Sequence, residues 1–341
     1  MALVIEWYDF VCFGIVGAAF LGALWVLYRK EGGGTGLGLA EDDEQAALES
    51  VLLGKPKNRP KSHVGTDRLW TSCWKGIHPG WLLGTRFISF LVMAGVLSWD
   101  IVVNTDNVFI YYTEWTFAVI MVYFGLGTIV SAHGCWLHST RKSSSENRVG
   151  NGFPRRDLEE SVPITSNNIQ EPETNGTKSR NGYSEEEFLH RAGFWGYLMQ
   201  VAYQASAGAV VITDTVFWCI IVPFLSIARL RLNWLMGCMH TLNVFFLLLD
   251  TGLNNLPFPW FRIAYFMLFS CAYVLFEWVI HASGFSWWPY PFIELNTPWA
   301  PLWYFALAVL HIPCYGIYAL IEKAKYAILP RLFPHAFVRL N

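Results

Sequence analysis

Polar side chains recur at helical spacing inside the long apolar runs of this 341-residue sequence. Residues three, four or seven positions apart lie on one face of a helix, so each such set forms a polar stripe. Polar groups inside apolar helices are costly, and we therefore expect the stripes to face one another within a bundle. The two longest stripes are His240, Asn243, Asp250 and Asn254, and Ser270, Tyr273, Glu277 and His281.

Five of the polar residues are expected near one face of the membrane, namely Thr116, His240, His281, Glu277 and Asp100. Each lies within one or two turns of the helix end that faces this side of the membrane. A hydroxyl, imidazoles and carboxylates in one layer could perform hydrolysis. A structural interpretation also stands: an intramembrane Thr often bonds its own helix backbone, a His often joins two helices, and Glu277 with His281 fits an i, i+4 pair.

The elements that hold these residues are predicted membrane helices. The chain is 54% hydrophobic and only 15% charged, whereas a soluble domain carries about 25% charge. A membrane-spanning helix needs ~20 mostly apolar residues. Seven runs of about that length are present, at residues 10–28, 86–103, 115–137, 194–224, 234–251, 262–281 and 302–321.

The sequence therefore predicts an all-α fold, a polytopic membrane helix bundle with about seven transmembrane helices. The stretch 139–192 is rich in Ser, Asn, Glu and Gly and has too little apolar surface to fold alone. The expected segments are a signal-anchor span at 1–30, a cytosolic linker at 31–85, spans 2 and 3 at 86–138, a disordered cytosolic loop at 139–192, spans 4 to 7 at 193–322, and a cytosolic tail at 323–341.

The distribution of Lys and Arg predicts the orientation. The stretch from Arg29 to Arg86 holds nine of them, the loop between the third and fourth spans holds eight, and the loops at 104–114 and 282–301 hold none. Because basic loops stay in the cytoplasm, the N-terminus is expected in the lumen or outside and the C-terminus in the cytosol. The expected location is the endomembrane system, such as the endoplasmic reticulum, or the plasma membrane.

Composition also narrows the partners and cofactors. A net charge of −2 excludes a globally basic nucleic-acid binder, so membrane lipids are the expected partners. All seven cysteines are isolated, without a CxxC pair or a histidine at zinc-ligand spacing, and no metal or other cofactor is expected. Gly14, Ala18 and Gly22 form a stripe of small residues on the first span, which suits close packing on another helix, either within the chain or between two chains. We expect the packing within the chain.

Four stretches carry a family resemblance, namely LNWLMGCMHTLNVFFLLLD at 232–250, EWVIHASGFSWWPYPFIEL at 277–295, VVITDTVFWCII at 210–221 and EWTFAVIMVYFGLG at 114–127. They resemble the androgen-induced and androgen-dependent family of membrane proteins. The resemblance covers about 85–321, which is six of the seven spans. Within it, the chain is most similar to the rolling-stone-like group, named for a protein linked to myoblast fusion. The opening MALVIEWYDFVCFG and the additional first span resemble plant members.

The resemblance implies a function and two catalytic residues. Characterised members of the family hydrolyse fatty acid esters of hydroxy fatty acids with an intramembrane threonine and a histidine. The histidine matches His240 and the threonine matches Thr116, while Val119 stands where the family has an aspartate and Tyr123 where it has a glutamine. His281, Glu277, Asn243 and Asp100 are candidates to orient the imidazole or to line a polar cavity.

Three functions therefore remain open at the level of sequence. The first is an intramembrane lipid-ester hydrolase with a Thr nucleophile and a His base, whose substrate is a lipid ester. The second is a non-catalytic membrane organiser or fusion-related protein of the rolling-stone type, in which the polar residues only hold helices together. The third is a proton-coupled carrier built on Asp214, Asp250 and Glu277.

The first testable prediction concerns orientation. In sealed vesicles, tags placed between residues 140 and 190 and at the C-terminus should be digested only from the cytosolic side. Asn175, which begins the sequon Asn-Gly-Thr, should carry no glycan because it faces the cytosol. A glycan at Asn175 in the native chain would reverse the orientation.

Overall fold

The computed structural model describes residues 6–31, 67–103, 108–150, 193–225 and 234–338. Most of the expected linker and of the expected loop with Asn175 lie outside these ranges. Within these ranges, seven long helices follow one another: α1 Trp7–Lys30, α2 Pro79–Val103, α3 Tyr112–Gly150, α4 Phe194–Val216, α5 Trp234–Leu253, α6 Ile263–Ala282 and α7 Ala300–Leu332. A π-helical stretch, Phe217–Leu225, continues α4.

All seven helices are long and apolar enough to cross a membrane. Their outward faces carry large apolar side chains such as Phe10, Leu21 and Trp81, each about two-thirds exposed or more. Such faces are stable only against lipid. The prediction of an all-α, polytopic membrane bundle is confirmed, and the chain is an integral membrane protein.

Helix α4 occupies the centre of the bundle, where it packs against α3, α5, α6 and α7. Its run from Ala205 to Ala209 consists of small residues, all buried. A Cβ added at Gly208 would lie 2.3 Å from the ring of Phe266 on α6. Small residues here let the backbones of α4 and α6 approach closely.

Helix α3 continues to Gly150, past its predicted end at residue 137 and into the stretch predicted as a disordered loop. Helices α2 and α7 also extend beyond the predicted spans, because charged residues inside them are buried. The prediction began α2 at residue 86 and ended α7 at residue 321. The structure begins α2 at Pro79 and ends α7 at Leu332. Arg86, Glu322 and Lys325 are all buried, so these charges lie within the bundle and do not mark the ends of the helices.

The carboxylate of Asp250 lies at the centre of a buried polar cluster, which we call the Asp250 cluster. Arg86 Nε donates to Asp250 Oδ1 at 2.8 Å, and Tyr123 Oη and Asn254 Nδ2 donate to Asp250 Oδ2. Arg86 Nη1 also donates to Ser131 Oγ at 2.7 Å. The cluster ties α2, α3 and α5 together near one end of the bundle.

Helix α1 packs on α6 and α7 through Cys12, Val16 and Ala23. The expectation that Gly14, Ala18 and Gly22 dock within the chain is wrong. All three are exposed, because they lie on the face opposite the buried residues. The helix is instead fastened at its C-terminus, where Glu31 accepts hydrogen bonds from Arg262, Tyr197 and Tyr265.

The second prediction concerns the Asp250 cluster. Arg86→Met should lower the Tm of the protein in detergent strongly, because losing one partner of a buried ion pair costs about 3–5 kcal/mol. Arg331→Met is the control, since Arg331 is exposed. Fluorescence-detected size-exclusion after heating measures both variants, and equal midpoints would show that the buried pair contributes nothing to stability.

Candidate functional site

Three helices bring polar side chains together at the end of the bundle opposite the Asp250 cluster. Thr113 lies in the first turn of α3, Asp214 in the last turn of α4, and His240 in the second turn of α5. A Thr inside a helix often donates to the carbonyl four residues earlier. For Thr113 that carbonyl belongs to Phe109, before the helix begins, and it accepts from Trp115 Nε1. The Thr113 hydroxyl is therefore left to contact another helix.

The three side chains form a continuous hydroxyl–imidazole–carboxylate chain. Thr113 Oγ1 lies 3.4 Å from His240 Nε2, and His240 Nδ1 lies 3.2 Å from Asp214 Oδ1. With Asp214 ionised, the proton of a neutral imidazole is held on Nδ1, where it donates to the carboxylate. Nε2 then presents its lone pair to the Thr113 hydroxyl, which is the arrangement that a general base requires.

The imidazole of His240 is fixed by its surroundings. Its ring stacks on Phe217, with ring centroids 3.7 Å apart and planes 7° from parallel. Phe217 is the first residue of the π-helical stretch, and Pro223 within that stretch has no backbone N–H to donate. The wider π-helical turn places the Phe217 ring beside α5, and π-helical segments are frequent at functional sites.

A cavity of about 100 Å³, the His240 cavity, opens beside this chain. Thr113, His240, Ser270 and Tyr290 line it, together with apolar residues of α4, α6 and α7. Tyr290 belongs to the segment between α6 and α7 and is flanked by Pro289 and Pro291. Burial raises the pKa of the Tyr290 phenol, so the residue keeps its proton and remains a hydrogen-bond donor.

Thr116, the residue predicted as the nucleophile, is fully buried one turn further along α3. Its Oγ1 lies 3.0 Å from Oγ1 of Thr213 on α4. Thr116 is not among the described residues that line the His240 cavity. The predicted hydroxyl is thus close in sequence to the one that contacts His240, but it bonds to α4 instead.

Of the four predicted orienting residues, the structure brings one to His240 through a shared partner. Asn243 Nδ2 donates to Asp214 Oδ1 at 3.2 Å, the same oxygen that contacts His240. Asn243 therefore helps to hold the carboxylate, while Asp214 itself contacts the ring. From the sequence, Asp214 is a member of the polar stripe on its span and of the carrier hypothesis, but not a predicted partner of His240.

The other three predicted residues do not contact the hydrogen-bonded side chains of Thr113, His240 and Asp214. His281 Nδ1 lies 2.7 Å from the carbonyl of Glu277, and Nε2 lies 3.0 Å from the carbonyl of Trp287. The His281 ring also stacks on Trp288, so His281 fastens the segment that carries Tyr290. Glu277 is buried one turn before His281, and Asp100 is buried near the end of α2.

The sequence held signals for the two residues that the prediction missed. Thr113 precedes Thr116 by three residues and lies on nearly the same face of α3. Asp214 lies ten residues before the predicted end of its span at residue 224, too deep for the layer of Thr116 and His240, but within the stretch 210–221 that carries the resemblance. The resemblance assigns no role to either residue.

Comparisons of the chain with protein-family models, with curated proteins and with solved structures found no match. Within the described ranges, no three His, Cys, Asp or Glu side chains form a group that could hold a metal ion. The geometry of the site is therefore the observation on which a function must rest.

The third prediction tests whether Thr116 pairs with Thr213 and stands outside the hydrogen-bonded set of Thr113, His240 and Asp214. Thr116→Val and Thr213→Val should each destabilise the protein by about 1 kcal/mol, because each leaves a buried hydroxyl without its partner. The double variant should lose no more than either single variant, since it removes both hydroxyls. Thermal midpoints in detergent measure this cycle, and strictly additive losses would show that the two hydroxyls do not interact.

Proposed function

We propose that this protein is an intramembrane lipid-ester hydrolase. The observation that carries the proposal is the chain from Thr113 through His240 to Asp214 at the wall of an apolar cavity between membrane helices. A threonine hydroxyl is a weak nucleophile unless a base takes its proton. Here the base stands beside the hydroxyl, and a carboxylate orients the base.

The reaction begins when Thr113 Oγ1 attacks the carbonyl carbon of the ester and its proton passes to His240 Nε2. The tetrahedral intermediate then expels the alcohol, which takes the proton from Nε2, and the acyl group remains on Thr113. Water attacks this second ester with His240 again as base, and the fatty acid leaves. Asp214 orients the imidazole and stabilises the imidazolium that forms twice.

Tyr290 is the candidate to stabilise the oxyanion of the intermediate. Its oxygen accepts a hydrogen bond from the backbone N–H of Tyr112 at 3.2 Å and its side chain is also hydrogen-bonded to Thr113, so the phenol lies directly beside the candidate nucleophile. Donors aimed at a developing negative charge contribute strongly where water is excluded. The flanking prolines restrict the backbone around Tyr290, which supports a fixed donor position.

The resemblance to the androgen-induced family supports the same class of reaction but a different nucleophile, Thr116. Contact with His240 favours Thr113, and the bond between Thr116 and Thr213 favours a structural role for Thr116. The two assignments share His240 as the base. They differ in one hydroxyl, and an experiment on matched variants distinguishes them.

The fourth prediction tests the nucleophile. Purified protein in lipid nanodiscs is assayed on 4-methylumbelliferyl butyrate and palmitate and labelled with a fluorophosphonate probe. Thr113→Ala and His240→Asn should each lower kcat by about 100-fold or more and abolish labelling, because the hydroxyl and its base act as one unit. Asp214→Asn and Tyr290→Phe should lower kcat by smaller factors.

Thr116→Ala is the matched control, since it removes a hydroxyl one turn away on the same helix. It should keep activity within a few-fold of the wild type, after correction for stability. Full activity in Thr113→Ala with loss in Thr116→Ala would instead assign the nucleophile to Thr116. No turnover by the wild type on a broad panel of esters would favour the non-catalytic membrane organiser.

A further inference from the structure

A second cavity, of about 60 Å³, adjoins the His240 cavity on the side of α1. We call it the α1 cavity. Five of the described lining residues belong to both cavities, so the two spaces are adjacent and share a wall on α6, α7 and the segment between them. The shared residues are Ser270, Val274, Ile293, Leu307 and His311.

The lining of the α1 cavity is nearly all apolar. Ile15, Val16 and Ala19 form its far wall on α1, opposite Met267 of α6 and Ala308 of α7. No Asp, Glu, Lys or Arg stands among the described residues that line either cavity. Of the polar members, Ser270 bonds to the Tyr112 hydroxyl at 2.7 Å and His311 Nδ1 donates to the Leu307 carbonyl at 2.7 Å.

The depth of the α1 cavity matches that of lipid tails. Residues 15–19 lie eight to twelve positions after Trp7, the first residue of α1, which is about 12–18 Å along the helix axis. A hydrocarbon core about 30 Å thick has its midplane ~15 Å from each face. The cavity therefore lies where apolar chains, rather than polar head groups, are found.

We propose that the two cavities form one binding site for a single unbranched acyl chain, with the carbonyl end beside Thr113 and His240 and the tail between α1, α6 and α7. Helix α1 is then the wall that selects chain length. A single apolar chain is the ligand class that fits, because no Asp, Glu, Lys or Arg is among the described residues that line the two cavities. The buried Nε2 of His311, which has no hydrogen-bond partner among the described residues, is a polar atom of the shared wall. This inference rests on the proposed function for the position of the carbonyl group.

The geometry also explains why α1 is held firmly. Glu31 fastens the C-terminal end of α1 to Arg262, Tyr197 and Tyr265. Nearer its start, α1 contacts α6 through the edge-to-face pair of Phe13 and Trp278, with ring centroids 4.6 Å apart. The cavity lies between these two attachments, so the distance between α1 and its neighbours is fixed on both sides of the tail.

Substitutions that fill the α1 cavity test chain-length selection. Ala19→Trp and Ala308→Trp should lower kcat/KM on umbelliferyl palmitate by about tenfold or more, since excluding methylene groups from an apolar pocket costs 10- to 200-fold. Activity on umbelliferyl butyrate should stay within about twofold. Ala18→Trp and Ala306→Trp are matched controls, because both positions are exposed on the outer faces of the same helices, and they should leave both activities unchanged.

A binding measurement makes the outcome independent of catalysis. A fatty acid with a diazirine at its methyl end is photo-crosslinked to the wild type and to Thr113→Ala, and the labelled peptides are mapped. Label should concentrate on residues 15–19 of α1, disappear in Ala19→Trp and persist in Ala18→Trp. Label spread evenly over lipid-facing positions of all seven helices would overturn the inference, even if the esters are hydrolysed. Label on α1 without any ester turnover would retain the acyl-chain site and overturn the proposed function.

Discussion

The hydrogen bonds and the ion pair of the Asp250 carboxylate are the interactions on which the bundle depends. The carboxylate accepts hydrogen bonds from Arg86 of α2, from Tyr123 of α3 and from Asn254 just after the last turn of its own helix. A charge in the hydrocarbon region must be paired and hydrogen-bonded, because lipid offers it neither. This requirement fixes the rotation of α2, α3 and α5 about their own axes, and therefore which of their residues face inward at the other end.

The candidate site uses two of the helices that Asp250 aligns. His240 precedes Asp250 by ten residues on α5, about 15 Å along the axis, and Thr113 precedes Tyr123 by ten residues on α3. The two pairs are thus displaced by similar distances along neighbouring helices, so the contact between Tyr123 and Asp250 brings Thr113 and His240 to the same level. The polar cluster that stabilises one end thereby sets the geometry of the other.

Apolar run lengths predicted the number, order and type of the helices, because the requirement to span a bilayer leaves few alternatives. Their ends were predicted less well at Arg86 and Glu322, since a single sequence does not show whether a charge in an apolar run is paired inside the bundle. The prediction of which face of α1 docks was also wrong. Small residues at four-residue spacing define a face of a helix, but they do not show which neighbour, if any, packs against it. His240 was among the predicted site residues, whereas its contact with Asp214 depends on how α4 and α5 pack.

The choice between Thr113 and Thr116 shows what a motif can and cannot assign. Three residues on a helix differ by about 60° in direction around the axis and by 4.5 Å along it, so both hydroxyls face the same part of the bundle at different depths. Thr213 of α4 stands at the depth of Thr116, and His240 of α5 at the depth of Thr113. A shift of α3 by one turn would bring Thr116 to the depth of His240, but Tyr123 opposes such a shift because its hydroxyl would then lose the buried Asp250 carboxylate. The identity of the hydroxyl that meets the imidazole is therefore determined by a contact ten residues away on α3.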